Sequence, residues 1–410
     1  MLEIYFLVVG IVFLISEISV YKLVLSVNKK FQWLILEKDE NPQISESVLE
    51  KFLPHGYDAE LGWVRKPNTE HFENGKDGKV KWTTNNYGAR TNPKFEETKS
   101  NISCYGDSFS FCRQVNDDET WEYHLSELLK TNVQNFGVGN YGLDQTYLRL
   151  KREYPKNPTK IVMIGVVPDT ISRIISIWKH YYEYGNTLGF KPRFKIHKNK
   201  LELLKNPIDT EGKFSKYNEY LDYIQENDFF YKAKFRKEKI TFPYCITIFR
   251  NLRRNFGIIK WIKKIEEYES KNKDTKEISW KPMDIIMKIN LEWRIKLFKD
   301  KNTLELFKKI LEEYVDFSKL KNFSPIFMFL PQKDDILFIK QNYNFYQEFI
   351  TEISGINNLI FVDITKGLLQ EECLDELYSD NNEYGGHYSM VGNQKIANLI
   401  FEQLKIKNIF

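Results

Sequence analysis

The sequence predicts an α/β fold, a five-stranded parallel sheet covered by helices on both faces. Three observations predict it. Short, continuously apolar runs recur after residue 100, amphipathic stretches of helical period separate them, and the runs stop at turn-forming or polar residues. A strand buried on both faces reads as an unbroken apolar run, and strands alternating with helices pair in parallel through crossovers.

Taken in order, residues 1–27 form the first element. Ile4 to Ser16, IYFLVVGIVFLIS, is thirteen uncharged residues, and the apolar pattern continues through Glu17 and Lys22 to Val27. A helix needs about 20 residues to cross a bilayer. No basic segment precedes this one and no small-residue cleavage pattern comes after it, so the expectation is a single-pass anchor rather than a removable leader. Lys22, Lys29 and Lys30 lie on its far side, which by the positive-inside rule argues for a cytoplasmic body. Residues 28–54 read as a polar-faced helical stalk. From 55 to 100, rich in Gly, Asn and Pro with N-G and D-G pairs, hairpins fit best. The strand candidates come next: NISCYG (101–106), VQNFGV (133–138), KIVMIGVV (160–167), SPIFMFL (324–330) and NLIFVDI (358–364). Residues 55–177 and 323–410 thus make the α/β domain. Residues 178–322 form an insertion of mainly helical character, dense in Lys and aromatics. That mix suits an acidic polymer or an anionic membrane surface, and equally a solvated face over a packed one.

Composition excludes several classes. The 410 residues are 42% apolar and 28% charged, as in a globular protein, and 60 basic against 56 acidic residues leave no footprint for nucleic acid. Four cysteines, at 104, 112, 245 and 373, have no metal-ligand spacing. Neither a metal nor a cofactor is expected.

In an open parallel sheet, reactive groups gather where loops leave the carboxyl ends of strands. Four such segments meet on this rim: Gly106-Asp107-Ser108 after the first strand, GVGNYG (137–142) after the second, PDTISR (168–173) after the third, and DNNEYGGHYS (380–389) before the last helix. They supply a hydroxyl, a Gly-rich turn, polar donors and an imidazole. Ser108 is the candidate nucleophile and His387 the base that takes its proton. Asp380, with Glu383 as the alternative, is the acid that orients the histidine. Asp107, Gly139, Asn140 and Arg173 stand on the oxyanion and substrate side, where backbone N–H groups and polar side chains meet developing charge.

These blocks, GDSF after a strand, NFGVGNYGLDQ, IVMIGVVPDTISR and GGHYSMVGNQKIA, together resemble those of SGNH (GDSL-type) hydrolases. ELGWVRKPN…TNNYGAR before the serine and VNDDETW after it are similar to membrane-anchored members with one N-terminal helix. The resemblance implies a three-layer α/β/α fold, Ser-His-acid catalysis on acyl esters, and the Ser108 N–H as an oxyanion donor. The chain departs from the pattern at three places. Asn140 falls on or beside the second-block glycine, the third block lacks its Gly-x-Asn-Asp and offers Asp169 and Arg173, and Tyr384 stands where an acid three residues before the histidine is usual.

The functional expectation is an anchored serine esterase or O-acyltransferase acting on acyl esters, acetyl first among them, of cell-surface polysaccharide. A membrane-bound acyltransferase is the expected partner, and the resemblance places the catalytic domain outside the cytoplasm. The alternatives are a catalytically impaired carbohydrate-binding or assembly subunit, and a lipid esterase.

Overall fold

A computed structural model describes residues 1–30, 33–95, 98–271, 278, 281–380 and 384–409. The principal elements are α1 (Leu2–Lys30), β1 (Ile102–Gly106), α2 (Ser108–Phe111), α3 (Trp121–Leu129), β2 (Val133–Asn135), α4 (Leu143–Glu153), β3 (Ile161–Val166), α5 (Tyr244–Arg250), α6 (Leu252–Glu269), α7 (Lys301–Lys321), β4 (Ser324–Phe329), β5 (Ile360–Val362) and α8 (Met390–Ile406). The chain forms two compact units. One comprises residues 1–46, 176–190 and 212–290; the other comprises 47–175, 191–211 and 291–410.

The second unit holds the sheet, in the order β5-β4-β3-β1-β2, with every neighbouring pair parallel. All five predicted runs carry a strand, each shorter than its run. The second stops at Asn135, yet Phe136 and Val138 N–H still bond to the carbonyls of Cys104 and Gly106, so the edge follows β1 to its end. Alternation along β4 separates the faces. Ile326 and Met328 join Trp121 and Leu125 of α3 and Ile396, Ile400 and Leu404 of α8 in one core. Phe327 and Phe329 meet Phe307 of α7 on the other side, with ring centroids 5.9 and 6.0 Å apart. The result is a three-layer α/β/α sandwich.

Strand order reverses direction at β1, which has β2 on one side and β3 on the other. That reversal opens a crevice at the carboxyl ends of β1 and β3. Gly106 is required there: it lies opposite Gly165, and a Cβ on it would stand 1.9 Å from the Gly165 carbonyl oxygen.

In the first unit, α1 runs unbroken from Leu2 to Lys30 and is long and apolar enough to cross a membrane. Its last turns do not lead to a free stalk. Val24 and Val27 pack with Leu34, Leu36, Ile240, Ile248, Ile258, Ile259 and Ile262 in one apolar cluster, so residues 28–46 belong to this unit. The insertion expected over 178–322 is likewise not one body. Residues 178–190 and 212–290 lie in the first unit, whereas 191–211 and 291–322 lie in the second, where α7 covers the sheet. It is mainly helical, as expected, and carries a hairpin. Arg193–His197 pairs antiparallel with Lys200–Leu204 across Lys198 and Asn199, both at positive φ (48° and 64°). Two left-handed residues make the tight hairpin turn whose twist matches its strands. Charged residues along both strands mask their alternation in the sequence.

Candidate active site

The end of β1 is built around Asp107. Its Oδ1 accepts the Phe109 N–H (2.9 Å), capping α2; its Oδ2 accepts the Val167 N–H at the end of β3 (2.8 Å) and Arg173 Nη1 (3.2 Å). Ser110 Oγ adds a hydrogen bond to the Gly165 carbonyl (2.7 Å). These contacts fix the turn that carries Ser108. Asp107 is fully buried, and burial raises its pKa while Arg173 opposes the rise. With both oxygens engaged, it holds the turn and offers nothing to a substrate.

Ser108 is 7% exposed. Among the described residues neither its hydroxyl nor its backbone N–H has a hydrogen-bond partner. Its neighbour Phe109 carries the His387 ring on its own, with centroids 4.9 Å apart, and meets Tyr388 edge-on at 4.9 Å. Strand β1 and the loop before α8 thus bring the His387 ring onto Phe109, the residue that follows Ser108.

The partner of the imidazole is not the predicted acid. His387 Nδ1 lies 2.9 Å from Gln114 Oε1, which also accepts the His387 backbone N–H (3.1 Å) and the Ser379 hydroxyl (2.8 Å). A backbone N–H only donates, so the amide atom facing it is the oxygen, and an amide oxygen only accepts. Nδ1 therefore carries the proton and Nε2 the lone pair. Gln114 itself is held at φ 70° by its neighbours, and its N–H bonds to Glu73 Oε1 (3.3 Å). Glu73 in turn takes both Arg113 Nε (3.0 Å) and Nη2 (2.5 Å). Burial works to raise the Glu73 pKa, but Arg113 outweighs it and the net shift is downward.

Asp380 makes no hydrogen bond to His387. Its N–H bonds to the Gly385 carbonyl (2.8 Å), and its carboxylate lies against Gly386, where a Cβ would come within 2.6 Å of Oδ2. Burial raises its pKa, with Lys333 opposing. Glu383 lies outside the described residues. Lacking a carboxylate on Nδ1, His387 has its pKa pushed down to about 3, first by burial, then by Arg113, with Glu73 opposing and Arg173 adding to the fall. The imidazole is neutral at physiological pH.

Of the residues expected on the oxyanion side, Gly139 lies next to the serine, and a Cβ on it would stand 3.9 Å from Ser108 Cβ. Its carbonyl accepts Trp63 Nε1 (2.8 Å), while its N–H has no acceptor among the described residues. Asn140 follows at φ 67° with its side chain exposed. Asn adopts this left-handed conformation more readily than most residues. Arg173 does not stand in for a third-block amide: it is buried, and bonds Asp107, the Tyr141 carbonyl (3.1 Å) and Asp169 Oδ2 (3.3 Å).

Sequence reasoning missed Gln114, Glu73 and Arg65. Arg65 lies over the rings of Trp82 and Phe111, with its guanidinium carbon 4.6 Å from each centroid. Trp82 and Glu73 sit on the paired strands Glu70–Asn74 and Lys79–Thr83 of the predicted hairpin region. Nothing in that preamble marks them as site residues until the hairpin is folded onto α2.

No protein-family profile matches the chain, and no curated protein is significantly similar to it. Solved structures do resemble it. One is a protein described as a lipolytic member of the G-D-S-L family from Desulfitobacterium hafniense DCB-2, at 12% identity and a TM-score of 0.35, covering 74% of this chain and 98% of that one. A second, at 12% identity and a TM-score of 0.36, covers 75% of this chain and 97% of its own.

Proposed function

We propose that this chain is a membrane-anchored serine esterase or O-acyltransferase of SGNH (GDSL) type, acting on acyl, chiefly acetyl, esters of cell-surface polysaccharide outside the cytoplasm. In the proposed cycle His387 Nε2 takes the Ser108 proton as Oγ attacks the ester carbonyl. The Ser108 and Gly139 N–H groups receive the oxyanion. His387 returns the proton to the leaving alkoxide, and water or a sugar hydroxyl then resolves the acyl-enzyme. One observation carries the reading. An unbonded serine hydroxyl at the end of β1 sits one residue from the ring that supports an imidazole whose free lone pair is on Nε2. The motif blocks supply the family, and the polysaccharide substrate and extracytoplasmic placement rest on that resemblance. The anchor is supported by α1 itself, whose Val24 and Val27 are core residues of the first unit, unlike a leader destined for removal.

The test is turnover of p-nitrophenyl acetate by wild type, Ser108→Ala and His387→Ala. The reading expects hydrolysis by wild type and a loss of at least about a hundredfold in each variant. Equal rates in all three would end it. The second reading, a non-catalytic carbohydrate-binding or assembly subunit, is favoured by the neutral amide on Nδ1 and the low pKa of His387. A folded wild type with no turnover would select it.

A further inference from the structure

Arg65 stands beside the nucleophile with its guanidinium uncommitted. The point where a Gly139 Cβ would lie is 3.7 Å from Arg65 Nη2 and 3.9 Å from Ser108 Cβ. Trp82 and Phe111, whose rings are perpendicular with centroids 5.0 Å apart, cover the guanidinium on two sides. Its Nε is buried without a hydrogen bond, and among the described residues the side chain has neither a hydrogen bond nor an ion pair. Of the arginines nearby, Arg149 keeps one hydrogen bond, to the Gly88 carbonyl (2.9 Å), and three others are in ion pairs. Arg113 is paired with Glu73, Arg90 with Asp117, and Arg173 with Asp107 and Asp169. A buried N–H without an acceptor is costly unless something completes it. Burial and the neighbouring arginines lower its pKa only to about 10, so it stays cationic at neutral pH.

We propose that Arg65 binds a carboxylate on the alcohol side of the ester, so that the substrate class is acyl esters of acidic molecules. A planar carboxylate matches the N–H fork of a guanidinium that no acceptor among the described residues engages. This rests on the esterase reading for the ester and on Arg65 alone for the carboxylate. The test compares 4-acetoxybenzoate with its neutral methyl ester as substrates for wild type, Arg65→Gln and Arg65→Lys, each checked for folding by circular dichroism. The readout is the ratio of kcat/KM for the anion to that for the neutral ester, whatever the absolute rates. That ratio should fall by at least about tenfold in Arg65→Gln and recover in part in Arg65→Lys. An unchanged ratio overturns the proposal. If wild type cleaves neither ester, the esterase reading fails, and the carboxylate site is read instead by titrating 4-acetoxybenzoate into Ser108→Ala calorimetrically. Binding that disappears in Ser108→Ala/Arg65→Gln supports the site; no binding to Ser108→Ala overturns it.

An independent observation lies in the first unit. Phe242, Ile246, Phe249, Leu252 and Phe256 are 45–64% exposed and recur every three or four residues from just before α5 to the start of α6, with the Phe249 and Phe256 rings 5.9 Å apart. This strip is continuous with α1: Phe242 meets Phe13 (6.4 Å) and Tyr244 meets Tyr21 (4.7 Å). At 1.5 Å per residue, Phe13 and Tyr21 stand about 16 and about 28 Å from Leu2, within a hydrocarbon layer about 30 Å thick. Glu17, buried between them in sequence, accepts the Tyr244 and Cys245 backbone N–H groups, so the start of α5 is satisfied without water. Arg250, Arg253, Lys260, Lys263 and Lys264 are exposed along the same helices and suit lipid phosphates.

We infer that α5 and the start of α6 insert into the bilayer beside α1, as a second membrane-bound element. The full chain, carrying Cys245→Ser and Cys373→Ser, is spin-labelled at Ile246→Cys, Val12→Cys or Lys200→Cys in phosphatidylcholine–phosphatidylglycerol nanodiscs. The Ile246 label should match Val12, more accessible to oxygen than to a water-soluble nickel chelate, and differ from Lys200. A label at Ile246 as open to nickel as Lys200 overturns the inference, as does a water-exposed label at Val12.

Discussion

Replacing Gln114 with Glu tests how the histidine is controlled. The amide oxygen accepts His387 Nδ1 at 2.9 Å, together with the His387 N–H and the Ser379 hydroxyl, and a carboxylate oxygen can accept the same three donors. Only the Gln114 Nε2 contact to the Asn74 carbonyl, at 3.5 Å, is lost. An opposite charge at hydrogen-bond distance raises an imidazole pKa by about 1–3 units. His387 would then move from about 3 to about 4–6. The imidazolium formed as Ser108 attacks gains about 1.4–4 kcal/mol, at about 1.36 kcal/mol per unit. Because the proton is only partly transferred in the transition state, kcat/KM should rise about ten- to a hundredfold. Initial rates on p-nitrophenyl acetate from pH 3 to 9 measure both effects. The acid limb of Gln114→Glu should lie at least about one unit above that of wild type, and Gln114→Leu, which cannot accept from Nδ1, should be slower than both. Coincident acid limbs, or full activity in Gln114→Leu, would show that residue 114 does not control the imidazole.

Three further outcomes concern stability. His387 titrates at about 3 when folded and near 6.5 when unfolded, so the unfolded chain alone takes up its proton between those values, and stability falls as pH drops through that window. Urea unfolding at pH 7 and pH 5 should show wild type losing about 2 kcal/mol more than His387→Gln. Glu122 is buried, accepts the Cys112 thiol (3.1 Å), and is pushed by burial to about 8. Its folded pKa lies above the unfolded one, so its contribution is present in acid and lost as pH rises toward 8; Glu122→Gln should flatten that slope by about 1 kcal/mol per pH unit between pH 5 and 8, measured the same way. Arg294 joins Asp334 (2.8 Å), Asp335 (2.7 Å) and Asp169 (3.9 Å) in the buried interior, and Arg294→Met strands those carboxylates, which should cost about 3–5 kcal/mol by denaturant midpoint.

The sheet was legible because strands buried on both faces must be apolar throughout, and the position of Ser108 because a buried strand ending in Gly-Asp delivers the next residue to the rim of the sheet. His387 was legible as the histidine before a capped helix: Ser389 does accept the Gly392 N–H at the start of α8. The acid was not. Asp380 and Glu383 lie close to His387 in sequence, whereas the Nδ1 partner comes from Gln114, 273 residues away, through a left-handed backbone that no local pattern announces. Arg65 was hidden for a similar reason, since its surroundings come from the hairpin strand bearing Trp82 and from Phe111 of α2. The division of residues 178–322 was illegible because α7, which covers the sheet, and α6, which packs with Val24 and Val27 of α1, carry the same apolar helical period. Periodicity reports that a face is buried, and it is silent about which core buries it.

The most direct measurement is covalent. Folded wild type treated with a fluorophosphonate and digested for mass spectrometry should carry the phosphonyl group on Ser108, and His387→Ala should label far more slowly. A folded wild type that takes up no label, or takes it up at another residue, contradicts the assignment of Ser108 as the nucleophile.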